Sequence, residues 1–221
     1  VPNIQIPLLY WPLMLVAAYV VGSIPFAQVI ALLKGADLRV VGTTNVGAGN
    51  LTKEVGLAWG VMAAVLDGLK GLIPVFIARQ AGLGIGAAGL VGVAAVAGHN
   101  WSIWLRGRSG RGLATSVGAL LVLDPALMVW TAGWAVAGWR IGGGLGGFLG
   151  WGLLPFVAVA LRRPARESLL LLLLATVILV RRVQGNHGGE RGRGPALERA
   201  IYDSDRAVED YPGAADEPVT P

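Results

Sequence analysis

The chain has 221 residues, 54% hydrophobic and only 14% charged, with 34 glycines, no cysteine and a mean hydropathy of +0.63. So few charges exclude an ordinary soluble domain, and the missing cysteine excludes disulfides, thiol catalysis and a Cys-ligated metal. The net charge of +5 hides a split: residues 1–183 carry fourteen Lys/Arg against five Asp/Glu, and residues 184–221 carry four against eight.

Apolar stretches run at about 7–33, 56–78, 83–104, 112–124, 125–141, 143–161 and 167–181. Runs near 20 residues match a hydrocarbon layer of about 30 Å, so the expected fold is all-α, a polytopic transmembrane helix bundle. A β-barrel is disfavoured because the runs are continuous rather than alternating. The first run lacks a basic flank and an A-x-A site, so it reads as a retained helix rather than a signal peptide. Asp124-Pro125 divides the fourth run from the fifth. A break there gives seven spans; one helix over 112–137 gives six. From Gln184 onward Gly, Arg, Asp, Glu and Pro dominate, which predicts a membrane domain over 1–183 and a disordered charged tail over 184–221.

The arginines lie between apolar runs, so they suit topology setting, anionic lipid or an anionic substrate better than nucleic acid. With seven spans and an outside N-terminus, Lys34, Arg39, Lys53, Arg106, Arg108, Arg111, Arg140, Arg181 and Arg182 fall in the cytoplasm. Arg79, Arg162, Arg163 and Arg166 then fall outside, against the positive-inside rule. Parity nevertheless brings both glycine-rich loops to one face. Gly142, Gly146 and Gly150 recur every fourth residue, as do Gly82 and Gly86, which predicts close helix packing.

Two polar loops interrupt the apolar pattern, Gly42–Asn50 and Arg106–Gly112. The first offers backbone N–H groups, the hydroxyls of Thr43 and Thr44, and the amides of Asn45 and Asn50. The second offers Arg108, Ser109 and Arg111 around glycines. Together they suit a phosphate monoester dianion. The first loop lacks the Gly-Lys-Ser/Thr end of a P-loop, so nucleotide triphosphate hydrolysis is unsupported. Asp67 and Lys70 interrupt the second run; Asp67 lies eleven residues past Gly56, about 16 Å along a helix. Their i, i+3 spacing shares one face, so they either pair with each other or line a polar cavity where Lys70 draws in an anion. His99-Asn100 closes the third run, and His99 is either a structural hydrogen-bonder or a group that binds or moves a proton. No Ser-His-Asp set, H-E-x-x-H motif or close carboxylate pair is present.

The order of motifs is Gly22-Ser23-Ile24-Pro25-Phe26-Ala27, Asp37-Leu38-Arg39, the 42–50 loop, Asp67-Gly68-Leu69-Lys70-Gly71, Gly98-His99, then Arg108 to Thr115. Over about residues 8–182 this order resembles the PlsY-type family of membrane acyltransferases. The resemblance implies transfer of an acyl group from acyl-phosphate to glycerol 3-phosphate, giving lysophosphatidate and phosphate in phospholipid biosynthesis. It also implies seven transmembrane helices in the cell membrane, an active site facing the cytoplasm, and no metal or cofactor. Within it, the expected catalytic residues are His99, Thr43 and Asn45. The expected substrate and phosphate ligands are Arg39, Gly42, Thr44, Gly47, Asn50, Lys53, Lys70, Arg108, Ser109, Gly110, Arg111 and Gly112. Asp67 is expected in a structural or cavity ion pair.

The chain departs from the family pattern in places. Thr43 stands for a serine, Thr44 for a glycine, Gly49 for a threonine, Lys53 for an arginine, Arg108 and Arg111 for lysines, and Ser109 for a glycine. At the end of the last helix Val183 and Gly185 stand where the family has His and Asn. Two other classes stay open: a non-catalytic relative that binds lipid phosphate or a partner, and a small anion transporter, although no inverted repeat relates the halves.

Overall fold

The computed structural model describes residues 10–141 and 143–185, with side chains left aside at 139–144. All regular structure among the described residues is helical. The α-helices are α1 (Trp11–Gly22), α2 (Phe26–Leu33), α3 (Ala48–Glu54), α4 (Leu57–Gln80), α5 (Ile85–Asn100), α6 (Leu113–Leu123), α7 (Pro125–Ile141), α8 (Gly143–Gly152), α9 (Leu154–Ala160) and α10 (Ala165–Gln184). Each predicted apolar run is therefore mainly helical where it is described, with 7–33 split into α1 and α2 and 143–161 into α8 and α9. The expected tail lies almost entirely outside the described residues.

Helix α4 shows why this chain needs lipid. Leu57, Val61, Val65, Leu69, Ile73 and Ile77 form its exposed stripe at near four-residue spacing. Its buried stripe holds Gly60, Ala63, Asp67, Lys70, Gly71, Pro74 and Ala78. A soluble helix has the opposite pattern, with its apolar stripe facing the core. The 24-residue α4 and the 23-residue unit Trp11–Leu33 are both long and apolar enough to cross a membrane. Only a third of the apolar window is buried in each, so neither is the core helix of a soluble fold.

Breaks in the helices follow the sequence. Ser23-Ile24-Pro25 separates α1 from α2. Asp124 is extended at φ −156°, so 112–137 is two helices rather than one. Proline at the first turn of α7 leaves no orphan donor there, and Asp124 Oδ1 accepts from the N–H of Ala126 (3.1 Å) and Leu127 (3.3 Å).

Glycines set the helix crossings. A Cβ on Gly22 would collide with the Ala95 carbonyl, and one on Gly98 with the Tyr19 carbonyl, so α1 and α5 touch backbone to backbone. Gly71 meets the Thr115 carbonyl, and Gly118 meets that of Gly68, which brings α4 equally close to α6. Of the four-residue repeat, Gly146 packs on Gly138 and Gly150 on Trp134, while Gly142 lies outside the described residues. The pairing of Gly82 with Gly86 needs correction: Gly86 has open space beside it. Gly82, at φ +84°, ends α4 instead, with its N–H on Arg79 O and that of Leu83 on Ala78 O.

Candidate active site

Most buried polar side chains gather where the C-terminal ends of α1, α5 and α10 meet the N-terminal end of α6. Ser102 Oγ donates to the Ser23 carbonyl (2.6 Å), the Tyr19 hydroxyl to the Trp101 carbonyl (2.6 Å), and Asn100 Nδ2 to the Val177 carbonyl (3.3 Å). Trp101 Nε1 donates to Gln184 Oε1 at 2.8 Å. These links fix the platform from which both polar loops rise.

The first loop is held by its own side chains. Asp37 accepts from Arg39 Nε at 2.8 Å and from Arg39 Nη2 at 2.5 Å, and Gln28 Nε2 donates to it at 2.7 Å. The hydrogen bond from Arg39 holds the Asp37 carboxyl well below the usual range, and Asp37 raises Arg39 in turn. Thr44 sits at φ +54°, in the left-handed region, where a Cβ costs about 1–2 kcal/mol. That is the position where the family pattern has glycine.

Residues 48–50 belong to α3, not to a loop. Gly47 is its N-cap, and Gly42, at φ +57°, turns beside Asn50. Asn50 is buried; its Oδ1 accepts from the Thr43 N–H (3.0 Å) and its Nδ2 donates to the Val41 carbonyl (3.1 Å). Its amide closes the bend. Lys53 is exposed on α3 and is not part of the cavity wall.

The two loops meet. A cavity of about 600 Å³ is walled by Arg39, Thr44 and Val46 from one side and by Trp104, Leu105, Arg106, Arg108 and Ser109 from the other. Arg181 of α10 closes it. Among the described residues, four arginines and no carboxylate line this space, with Thr44 and Ser109 adding polar groups and Val46, Trp104 and Leu105 an apolar side. It is suited to a ligand that joins a phosphate to something less polar.

A second polar cluster lies beneath the loops. Lys70 Nζ is 2.8 Å from Asp67 Oδ1, donates to the Ile24 carbonyl at 2.7 Å, and lies 3.0 Å from His99 Nδ1. Asp67, Lys70 and His99 are all buried. An ammonium only donates, so His99 Nδ1 is the acceptor and the ring proton sits on Nε2. Nε2 lies against Gly110, where a methyl would collide with it and come within 2.9 Å of the Val46 carbonyl. Lys70 and His99 therefore lie under the cavity, not in its wall. Gly110 is the point where His99 and the two loops touch. Gly112, at φ +72°, starts α6 against Asn100, while Arg111 is half-buried and close enough to Arg181 for their like charges to repel.

Thr43 and Asn45 are half-buried in the first loop, and neither lines the cavity. Arg181 is the residue sequence reasoning missed. Its signal is Arg181-Arg182 at the end of an apolar run, which the sequence pattern alone does not join to the two loops. No group of three or more His, Cys, Asp or Glu side chains is arranged to hold a metal among the described residues.

Apolar-faced helices around buried charge, with an arginine-lined cavity at one end, define a helical membrane protein suited to a phosphorylated ligand. The family model of glycerol-3-phosphate acyltransferases matches residues 12–188, and the chain belongs to that family. It is 46% identical over 121 residues to the glycerol-3-phosphate acyltransferase of Thermus thermophilus, covering 55% of this chain and 60% of that one. It is 42% identical over 125 residues to glycerol-3-phosphate acyltransferase 1 of Deinococcus radiodurans, covering 57% and 63%. The chain thus spans about three fifths of these relatives. The crystal structure of PlsY, an integral membrane glycerol 3-phosphate acyltransferase, in its glycerol 3-phosphate form is 30% identical with a TM-score of 0.73, covering 79% of this chain and 88% of that one. The lysophosphatidic acid form is 27% identical with a TM-score of 0.71, covering 86% and 97%.

Proposed function

We propose that this protein transfers an acyl group from acyl-phosphate to glycerol 3-phosphate at the membrane surface, giving lysophosphatidate and phosphate. The observation that carries this reading is the convergence of the two loops on one cavity with four arginines in its wall. The relatives named above, and the solved PlsY forms with glycerol 3-phosphate and lysophosphatidic acid, support the substrate class.

In the reaction, the primary hydroxyl of glycerol 3-phosphate attacks the acyl carbon. A new ester C–O bond forms as the bond from that carbon to the phosphate oxygen breaks. An acyl-phosphate is already activated, so alignment of the bound reactants provides much of the rate. Arg39, Arg106 and Arg108 hold the phosphate charge and stabilise what develops on the departing phosphate. The hydroxyl proton passes to a substrate phosphate oxygen, because His99 has its proton on the nitrogen that faces the loops. Its work is then to support Gly110. Thr43 and Asn45 contribute by shaping the first loop.

Seven spans and a cytoplasmic site complete the proposal. Its obstacle is the cluster of arginines at the far end. Arg163 there pairs with Asp124 at 2.8 Å, which removes part of the excess positive charge. The Val183 and Gly185 departures favour a second reading, a relative that binds glycerol 3-phosphate without turning it over.

The test is the purified protein in lipid nanodiscs with acyl-phosphate and labelled glycerol 3-phosphate, and acyl-CoA as the competing donor. Labelled lysophosphatidate formed only with acyl-phosphate is the expected result. Binding without product would establish the second reading, and neither binding nor product would end both.

A further inference from the structure

Arg181 belongs to the last helix, yet its Nη2 donates to the carbonyl of Ser109, 72 residues away, at 2.7 Å. Its Nη1 donates to the carbonyl of Gly185 at 2.6 Å, one turn further along its own chain. The guanidinium is buried to 4% exposure and still forms part of the cavity wall. Two carbonyls in different segments thus lock a planar cation in one orientation, which a lysine could not reproduce. Gly185, at φ +64°, turns the chain so that its carbonyl meets Nη1. It is one of the positions where this chain departs from the family pattern.

We propose that Arg181 is a positioning residue that ties the end of the last helix to the second loop and so orients the arginines of the cavity wall. It holds the Ser109 carbonyl, and so aims the neighbouring Arg108 into the cavity. It also adds a fixed positive charge to the wall, favouring an acceptor that carries a phosphate dianion. The inference rests on the acyl-transfer reading for its kinetics, but not for its binding.

Two measurements separate the failure of one reading from that of the other. The first is equilibrium binding of glycerol 3-phosphate to wild type, Arg181→Gln and Arg181→Lys in nanodiscs. The second is acyl transfer by the same three proteins. Arg181→Gln is expected to weaken binding and raise KM about tenfold or more, with kcat altered less than about threefold. Arg181→Lys is expected to recover part of the loss, because charge returns without the fork. If Arg181→Gln does not fold, Arg181→Lys decides alone: KM raised about threefold or more supports the role. Unchanged binding and KM in the folded variants would overturn it, as would a loss confined to kcat or to thermal stability. Wild type that binds but transfers nothing sinks the acyl-transfer reading, and binding then judges Arg181. Wild type that does not bind at all overturns both.

Discussion

Lys70 Nζ lies 3.0 Å from His99 Nδ1 and 2.8 Å from Asp67 Oδ1, and that Nδ1 is itself 3.6 Å from the same carboxylate oxygen. A buried ion pair on one helix thereby fixes the tautomer of a histidine on another. The same contact accounts for the energetics of placing two charges inside the bundle, where each alone is costly.

Lys70→Met should therefore be severe, because it leaves Asp67 buried without its counter-charge, at a cost of about 3–5 kcal/mol. Thermal unfolding in detergent is the measurement, and the paired change Asp67→Asn with Lys70→Met should recover most of the loss. A single variant as stable as wild type would mean that the pair does not hold these helices.

Gly110 lies between His99 Nε2 and the Val46 carbonyl with no room for a methyl. Gly110→Ala should push the two loops apart and reduce acyl transfer by about 100-fold or more, as displacements of about 1 Å do in aligned sites. Shortening the partner relieves the clash, so Gly110→Ala with His99→Ala should be more active than Gly110→Ala alone. Failure of that rescue would separate the histidine from the loop.

Much of this fold was legible because hydropathy is a local property. Each apolar run became helix, and the break at Asp124-Pro125 could be read from two adjacent residues. Span parity predicts the 42–50 and 106–112 loops on one side, and in the fold residues of both loops wall one cavity. What could not be read depends on distant partners. Arg181 meets Ser109 across 72 residues, and no spacing rule reaches that far. Asn50 looked like a ligand-facing amide because its acceptor and donor partners, Thr43 and Val41, appear only once α3 begins at Ala48. Lys70 is open to two readings in the sequence, and its contacts with Asp67 and His99 appear only in the fold.

Asn50 offers a sharper test of loop closure than deletion alone. Its Oδ1 accepts from Thr43 while its Nδ2 donates to the Val41 carbonyl. Asn50→Ala loses both bonds and leaves buried backbone groups unpaired, at about 1–3 kcal/mol. Asn50→Asp keeps the acceptor but turns a carboxylate oxygen toward a carbonyl, so it should be the worse of the two. Hydrogen exchange over residues 40–50 gives the readout, and faster exchange in Asn50→Ala than in Asn50→Asp would contradict the assignment.

The Asp37–Arg39 pair determines how binding responds to acid. Folding lowers the Asp37 carboxyl from its ordinary value of 3.8, chiefly through the hydrogen bond from Arg39. A carboxyl shifted down stabilises the fold fully above its unfolded value, and the contribution fades only as pH falls through the lower folded value. Arg39 is therefore held in place throughout pH 8 to pH 4. Any change in KM for glycerol 3-phosphate over that window should follow the second ionisation of the substrate phosphate, near about 6. Asp37→Asn keeps one acceptor and loses the charge, so it should raise KM about three- to tenfold at every pH, without moving the profile. KM measured at half-unit steps for both proteins decides the matter. A wild-type rise near pH 4.5 that Asp37→Asn abolishes would show that the carboxyl titrates there after all, and that Arg39 is aimed by something else.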